Sequence, residues 1–142
     1  MELTTNSLMN RIIKGKDIRE VLDENVEEFE EQPISSYLGE LCKKYDKVPE
    51  HVIKKAHIDR TYGHQIFNGT RIPSRDKLIQ LAFGFELSLD EVQKLLKISG
   101  KSTLYAKIKR DAVCIYAISH DMGIMEVQEL LLSLELPILG DV

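Results

Sequence analysis

The chain has 142 residues and a mass of 16.3 kDa, enough for one domain, or one small domain with an appendage, and too little for a large multidomain enzyme. Hydrophobic residues make up 43% and charged residues 30%, with four prolines and eight glycines, which excludes a low-complexity chain and predicts a packed core. The net charge of −4 is uneven: residues 1–33 carry −5, residues 34–100 carry +3 and residues 101–142 carry −2, so a basic middle survives and an anionic partner is not excluded.

No apolar run approaches the roughly 18 residues that span a bilayer, and Met1 to Asn10 is too polar for a signal peptide, so the chain reads as cytoplasmic with no membrane contact. In residues 1–33, Leu8, Ile12, Ile13, Ile18, Val21, Leu22, Val26 and Phe29 recur at near-helical spacing broken around Gly15, which predicts two short helices. Six carboxylates crowd residues 23–31, and Pro33 ends the pattern. This acidic segment reads as a solvated helix face, with a protein partner or a fold back over the basic middle as alternatives.

Helices with short connections follow, and nothing alternates with period two for long enough to make a sheet. Tyr37, Leu38, Leu41 and Cys42 mark a helix over 35–45, and Val52, Ile53 and Ala56 mark a short one after Pro49, a residue suited to a first helical turn. Asp59 caps a third helix over 60–68, closed by Gly69. Ser74 opens a fourth, with Gly84 as its expected end, and Ser88 with Glu91 forms a capping box for a fifth that runs to Gly100. A long sixth helix is predicted over 103–120, ending near Gly123, and a seventh over 125–134 before Pro137. The fold class is all-α, a multi-helix bundle.

Two short helices over 50–56 and 60–68 joined by a tight turn describe a helix-turn-helix, whose second helix enters the major groove. Residues 34–96 resemble the lambda-repressor-like, or Xre/Cro-type, regulators of bacteria and phages. The likeness rests on Val52 and Ile53, on Ile58 in the turn, on the run NGTRIPSRDKLIQLAFGF and on the following SLDEV. Together with the charge division and the break at Pro33, three segments are expected: an acidic helical stretch over 1–33, a helix-turn-helix domain over 34–100, and a helical extension over 101–142 that packs on the core or forms a dimer interface. The likeness implies a bacterial transcriptional regulator that binds double-stranded DNA as a homodimer on a pseudo-palindromic site.

Departures from the family pattern come in compensating pairs. Where the family has a small residue facing a large one across the two helices, this chain has Ile53 and Gly63, an exchange that conserves volume. Where the family often buries an Arg-Glu pair, this chain has Cys42 and Phe67, which removes both charges together and strands neither. Pro49 removes a donor where relatives carry a phosphate-contacting Gln, and His57 stands where the turn usually has Gly.

The resemblance points to Arg60, Thr61, His64 and Gln65 as base-reading residues, since Arg pairs with guanine, Gln with adenine and Thr with a thymine methyl. Lys54, Lys55, Tyr62, Arg71, Arg75 and Lys77 flank them as phosphate contacts. His51, His57, His64 and Cys42 match no ligand spacing, so no metal or other cofactor is expected. There is no glycine-rich phosphate loop and no recognisable nucleophile-base arrangement, so the chain reads as a non-enzyme. Cys42 and Cys114 lie among apolar neighbours and read as reduced, buried thiols. Pro49 and the acidic ends support an alternative function, a helix-turn-helix-derived interaction module such as an adaptor or antitoxin-like subunit with little DNA binding. The apolar residues between Leu104 and Leu134 either complete the core or form the dimer interface.

Overall fold

The computed structural model describes residues 4–24 and 33–140. All regular structure among them is helical, and no helix is long and apolar enough to cross a membrane. The chain divides into two compact units, Met1–Glu31 and Gln32–Val142. In the first, α1 (Thr5–Lys14) begins at Thr4, whose hydroxyl accepts from the Ser7 N–H, and stops at Gly15. After Asp17, whose carboxylate accepts from the Arg19 N–H, α2 (Ile18–Glu24) follows. The acidic run expected over 23–31 lies outside the described residues from position 25 onward.

The second unit holds α3 (Ile34–Lys44), α4 (Pro49–Lys55), α5 (Arg60–Phe67), α6 (Arg75–Phe85), α7 (Leu89–Ile98), α8 (Lys109–Ser119) and α9 (Ile124–Ser133). Its hub is α6, in which every residue from Leu78 to Phe85 is buried. A helix buried on all sides must be surrounded, and α4, α7 and α9 pack against this one. Leu38 and Leu41 of α3, Val52 and Ile53 of α4, Ile66 of α5, and Val92, Leu95 and Leu96 of α7 complete the core around it. Ser74 and Ser88 cap α6 and α7, and the Ser88–Glu91 capping box forms.

Gly84 does not end α6; it lies inside the helix one residue before the end. A Cβ there would stand 2.6 Å from the Val52 carbonyl oxygen and 3.0 Å from the Ala56 Cβ, so the glycine is what lets α4 approach. The helix instead ends at Glu86, in left-handed conformation with φ +60°. The same device recurs at Asp46, His57, Asp121 and Glu135, each with φ between +52° and +59°. At every one of these corners the next N–H reaches back to the carbonyl five residues earlier, as Ile58 does to Ile53 and Met122 to Ala117, the paired bonding of a Schellman end.

The predicted sixth helix is shorter than expected, since residues 103–108 are not helical. Side chains take the place of the missing helical bonds. Gln93 accepts from the Leu104 N–H at 2.7 Å and donates to its carbonyl at 2.9 Å, and Asp111 accepts from the Tyr105 N–H at 2.9 Å. The extension folds onto the core: Leu104, Cys114, Val127 and Leu131 are buried, whereas Tyr105, Ile108, Tyr116 and Leu134 stay exposed.

Two Arg-Asp dipeptides tie this extension to the start of α6. Arg75 donates two hydrogen bonds to Asp111, at 3.0 and 2.8 Å, and Arg110 donates two to Asp76, at 2.9 and 2.8 Å. Each pair is bidentate, the strongest arrangement an Arg and a carboxylate can make. Arg110 also donates to the Pro137 and Ile138 carbonyls, and the Gly140 N–H donates to Asp76. Burial is the largest single influence and opposes ionisation of both carboxyls, but the Arg hydrogen bonds, the Gly140 and Tyr105 N–H groups and the nearby guanidinium charges together outweigh it and hold Asp76 and Asp111 below the usual Asp value.

Candidate nucleic-acid interface

The site is built on α4 and α5 and the four residues between them. Ala56 ends α4, His57 turns the chain at φ +56°, Ile58 is buried as the anchor of the turn, and the Asp59 carboxylate accepts from the Tyr62 N–H at 3.1 Å to start α5. The inner face of α5 is Gly63 and Ile66. A Cβ on Gly63 would stand 2.5 to 2.9 Å from three carbons of Ile53, so the large residue of α4 fills the volume that the glycine leaves. Cys42 is buried, and Phe67 is half-buried with its ring centroid 6.2 Å from that of Phe85.

On the outer side of α5 the structure places Arg60 and Thr61, both exposed, with His64 and Gln65, both partly exposed. Two of these donors share one acceptor. Glu50, at the second position of α4, accepts from Arg60 Nε at 2.8 Å through Oε1, and its Oε2 lies 2.6 Å from His64 Nε2. The Arg60 hydrogen bond, then that of His64, holds the Glu50 carboxyl below the usual Glu range. Gln65 accepts from Arg71 Nε at 3.0 Å. Sequence reasoning missed Glu50 because nothing in the local pattern shows that its side chain crosses to the next helix.

The flanking cations divide into two groups. Lys54 is exposed at the end of α4, and Lys55 pairs with Glu86 on the surface. The Arg71 guanidinium lies 4.6 Å from the centre of the Tyr62 ring and Lys77 Nζ 5.5 Å, so the half-buried tyrosine serves as a platform that keeps two cations beside α5. Arg75 is engaged differently from the others: besides Asp111 it donates to the Ser102 and Thr103 carbonyls, at 2.9 and 3.0 Å, so its guanidinium is committed inside the fold. Nothing in the local sequence gives this away, because its carboxylate partner is 36 residues distant.

Among the described residues no group of three or more His, Cys, Asp or Glu side chains is placed to hold a metal ion. Cys42 and Cys114 are free and buried, and burial pushes the Cys114 thiol up to about 11. No protein-family model matches the chain, and no curated protein or solved structure matches it either.

Proposed function

We propose that this chain is a sequence-specific double-stranded DNA-binding regulator of the Xre/Cro type, reading the major groove with α5. The observation that carries the reading is the asymmetry of α5. One side, Gly63 and Ile66, is sunk against the core, while the other offers Arg60, Thr61, His64 and Gln65 to solvent. Those side chains form hydrogen-bonding groups and a methyl suited to base edges, and Lys54, Lys55, Arg71 and Lys77 supply positive charge around them for phosphates. A homodimer through the exposed residues of the C-terminal extension, Tyr105, Ile108, Tyr116 and Leu134, would match a twofold DNA site. No catalysis is assigned to the chain.

The test is selection from a random duplex pool with the full chain at two salt concentrations. Enrichment of a palindromic half-site that survives the higher salt supports the reading, and its spacing gives the dimer geometry. No enrichment at either salt refutes it. A second reading, an interaction module, is favoured by Ile72, which is 82% exposed in the loop after α5 beside a groove lined by Pro33, Ile34, Pro73 and Ile98. It predicts no sequence preference on DNA, and loss of a protein partner on Ile72→Asp.

A further inference from the structure

Glu50 puts a negative charge in the middle of a surface proposed to meet an anionic polymer. The carboxylate comes from α4, yet both of its oxygens are used on α5, by Arg60 and His64. These two residues are four apart and therefore share one face of the helix, so a single carboxylate spans one helical turn. The fold has little need of this bridge. The side chains of Arg60, Glu50 and His64 are 77%, 49% and 40% exposed, a setting in which ion pairs contribute little to stability. Its significance has to lie in what the face does.

We infer that Glu50 is a specificity-determining residue of the DNA interface: it fixes Arg60 and His64 in register for one base pair and selects cytosine there with its own carboxylate. This rests on the DNA-binding reading above. Arg60 gives its Nε–H to Glu50, which leaves the two terminal NH2 groups to meet guanine O6 and N7. A carboxylate has acceptors only. In the major groove it can pair with the amino group of cytosine, whereas guanine O6 and N7, thymine O4 and the phosphates all repel it. Adenine offers an amino group too, but its neighbouring N7 is an acceptor that a carboxylate cannot satisfy and an amide can. Arg60 and Glu50 together therefore favour a guanine-cytosine pair. Held by Glu50, Arg60 is also kept from a nearby phosphate, a contact that would add affinity without sequence preference.

The experiment compares the full wild-type chain with Glu50→Gln and Arg60→Met, by selection from a random duplex pool and by titration of the enriched duplex against a scrambled one across salt. Glu50→Gln keeps the shape and an acceptor for Arg60 but removes the charge. It is expected to bind the scrambled duplex more tightly, with a salt dependence steeper by about one phosphate contact. Preference for guanine-cytosine at one position of each half-site should fall roughly 10-fold or more, with adenine newly accepted. Arg60→Met should lose preference at that same base pair, and it serves as the independent variant if Glu50→Gln melts lower than wild type. A wild type that enriches no sequence overturns the DNA reading and this inference together. A wild type that enriches a site while Glu50→Gln keeps the same base preferences overturns this inference alone, as does Arg60→Met losing preference at a different base pair.

Discussion

The contact between Gly63 and Ile53 makes a quantitative prediction about how α4 and α5 fit. In Gly63→Ala the new Cβ would lie 2.5 Å from Cγ2, 2.7 Å from Cγ1 and 2.9 Å from Cδ1 of Ile53. Two of those atoms sit on the β-carbon of a branched residue in a helix, where one χ1 rotamer dominates, so Ile53 cannot swing aside. Overpacking of this kind costs about 3 kcal/mol, at the upper end of the usual range. Replacing a mid-helix glycine by alanine returns about 1 kcal/mol. The net loss is then about 2 kcal/mol, or a fall in melting temperature of roughly 8 °C for a folded unit of this size. Ile53→Ala, at a site only 2% exposed, should cost about 3 kcal/mol through the cavity it leaves. In the double variant the alanine methyl on α5 enters that cavity, so the two losses should not add. The full double-mutant cycle by urea unfolding of the four proteins is expected to show a favourable coupling of about 2 kcal/mol. Additivity to within about 0.5 kcal/mol would refute the exchange of volume between the two helices.

Arg75→Ala should lower stability by about 3 kcal/mol in urea unfolding, because it strands the Asp111 carboxylate, whose side chain is 4% exposed, yet leave the salt dependence of DNA binding unchanged. Arg71→Ala should do the reverse, with the melting temperature held and the salt dependence shallower by about one phosphate contact. Asp76 and Asp111 both have folded values below the unfolded value of 3.8, so the stability they contribute is fully present above about pH 5. It drains away as the pH falls through 3.8 and on through the lower folded values, and the acid limb of a urea-midpoint profile should flatten in an Asp76→Asn, Asp111→Asn double variant. Neither thiol should react with a disulfide reagent at pH 8 in the native protein, and both should react in denaturant, given their burial and the Cys114 value of about 11; one rapidly reacting native thiol would contradict this.

The elements that declare themselves through short-range chemistry were legible before any coordinates. Ser74, Ser88 with Glu91, and Asp59 announce helix starts because a cap and its N–H lie within three residues of each other. Helix ends were harder, since five of the left-handed corners carry Asp, His or Glu where glycine is the usual signal. Gly84 misled for the complementary reason: it answers to the carbonyl of Val52, 32 residues earlier, and not to its own backbone angle. The overlong sixth helix failed in the same way. Residues 103–108 have helical composition, but the Thr103 carbonyl is taken by Arg75, the Leu104 N–H by Gln93 from α7, and the Tyr105 N–H by Asp111 at the start of α8. For the candidate site, sequence identifies which side chains α5 presents, but the sharing of Glu50 between Arg60 and His64 and the loss of Arg75 to Asp111 are tertiary facts.

The crossed Arg-Asp pairs bear on the order in which the molecule can be completed. Domains form as they emerge during synthesis, from the N-terminal end first. The start of α6, which follows directly on the loop after α5, is tied down by Arg110, Asp111 and Gly140, all of which emerge well after it. A nascent chain that has finished α6 therefore still has Arg75 and Asp76 without these partners. The start of α6, next to the outward face of α5, is therefore braced only once the segment from Arg110 to Gly140 has emerged, and a chain cut before Arg110 carries α5 without that brace behind it.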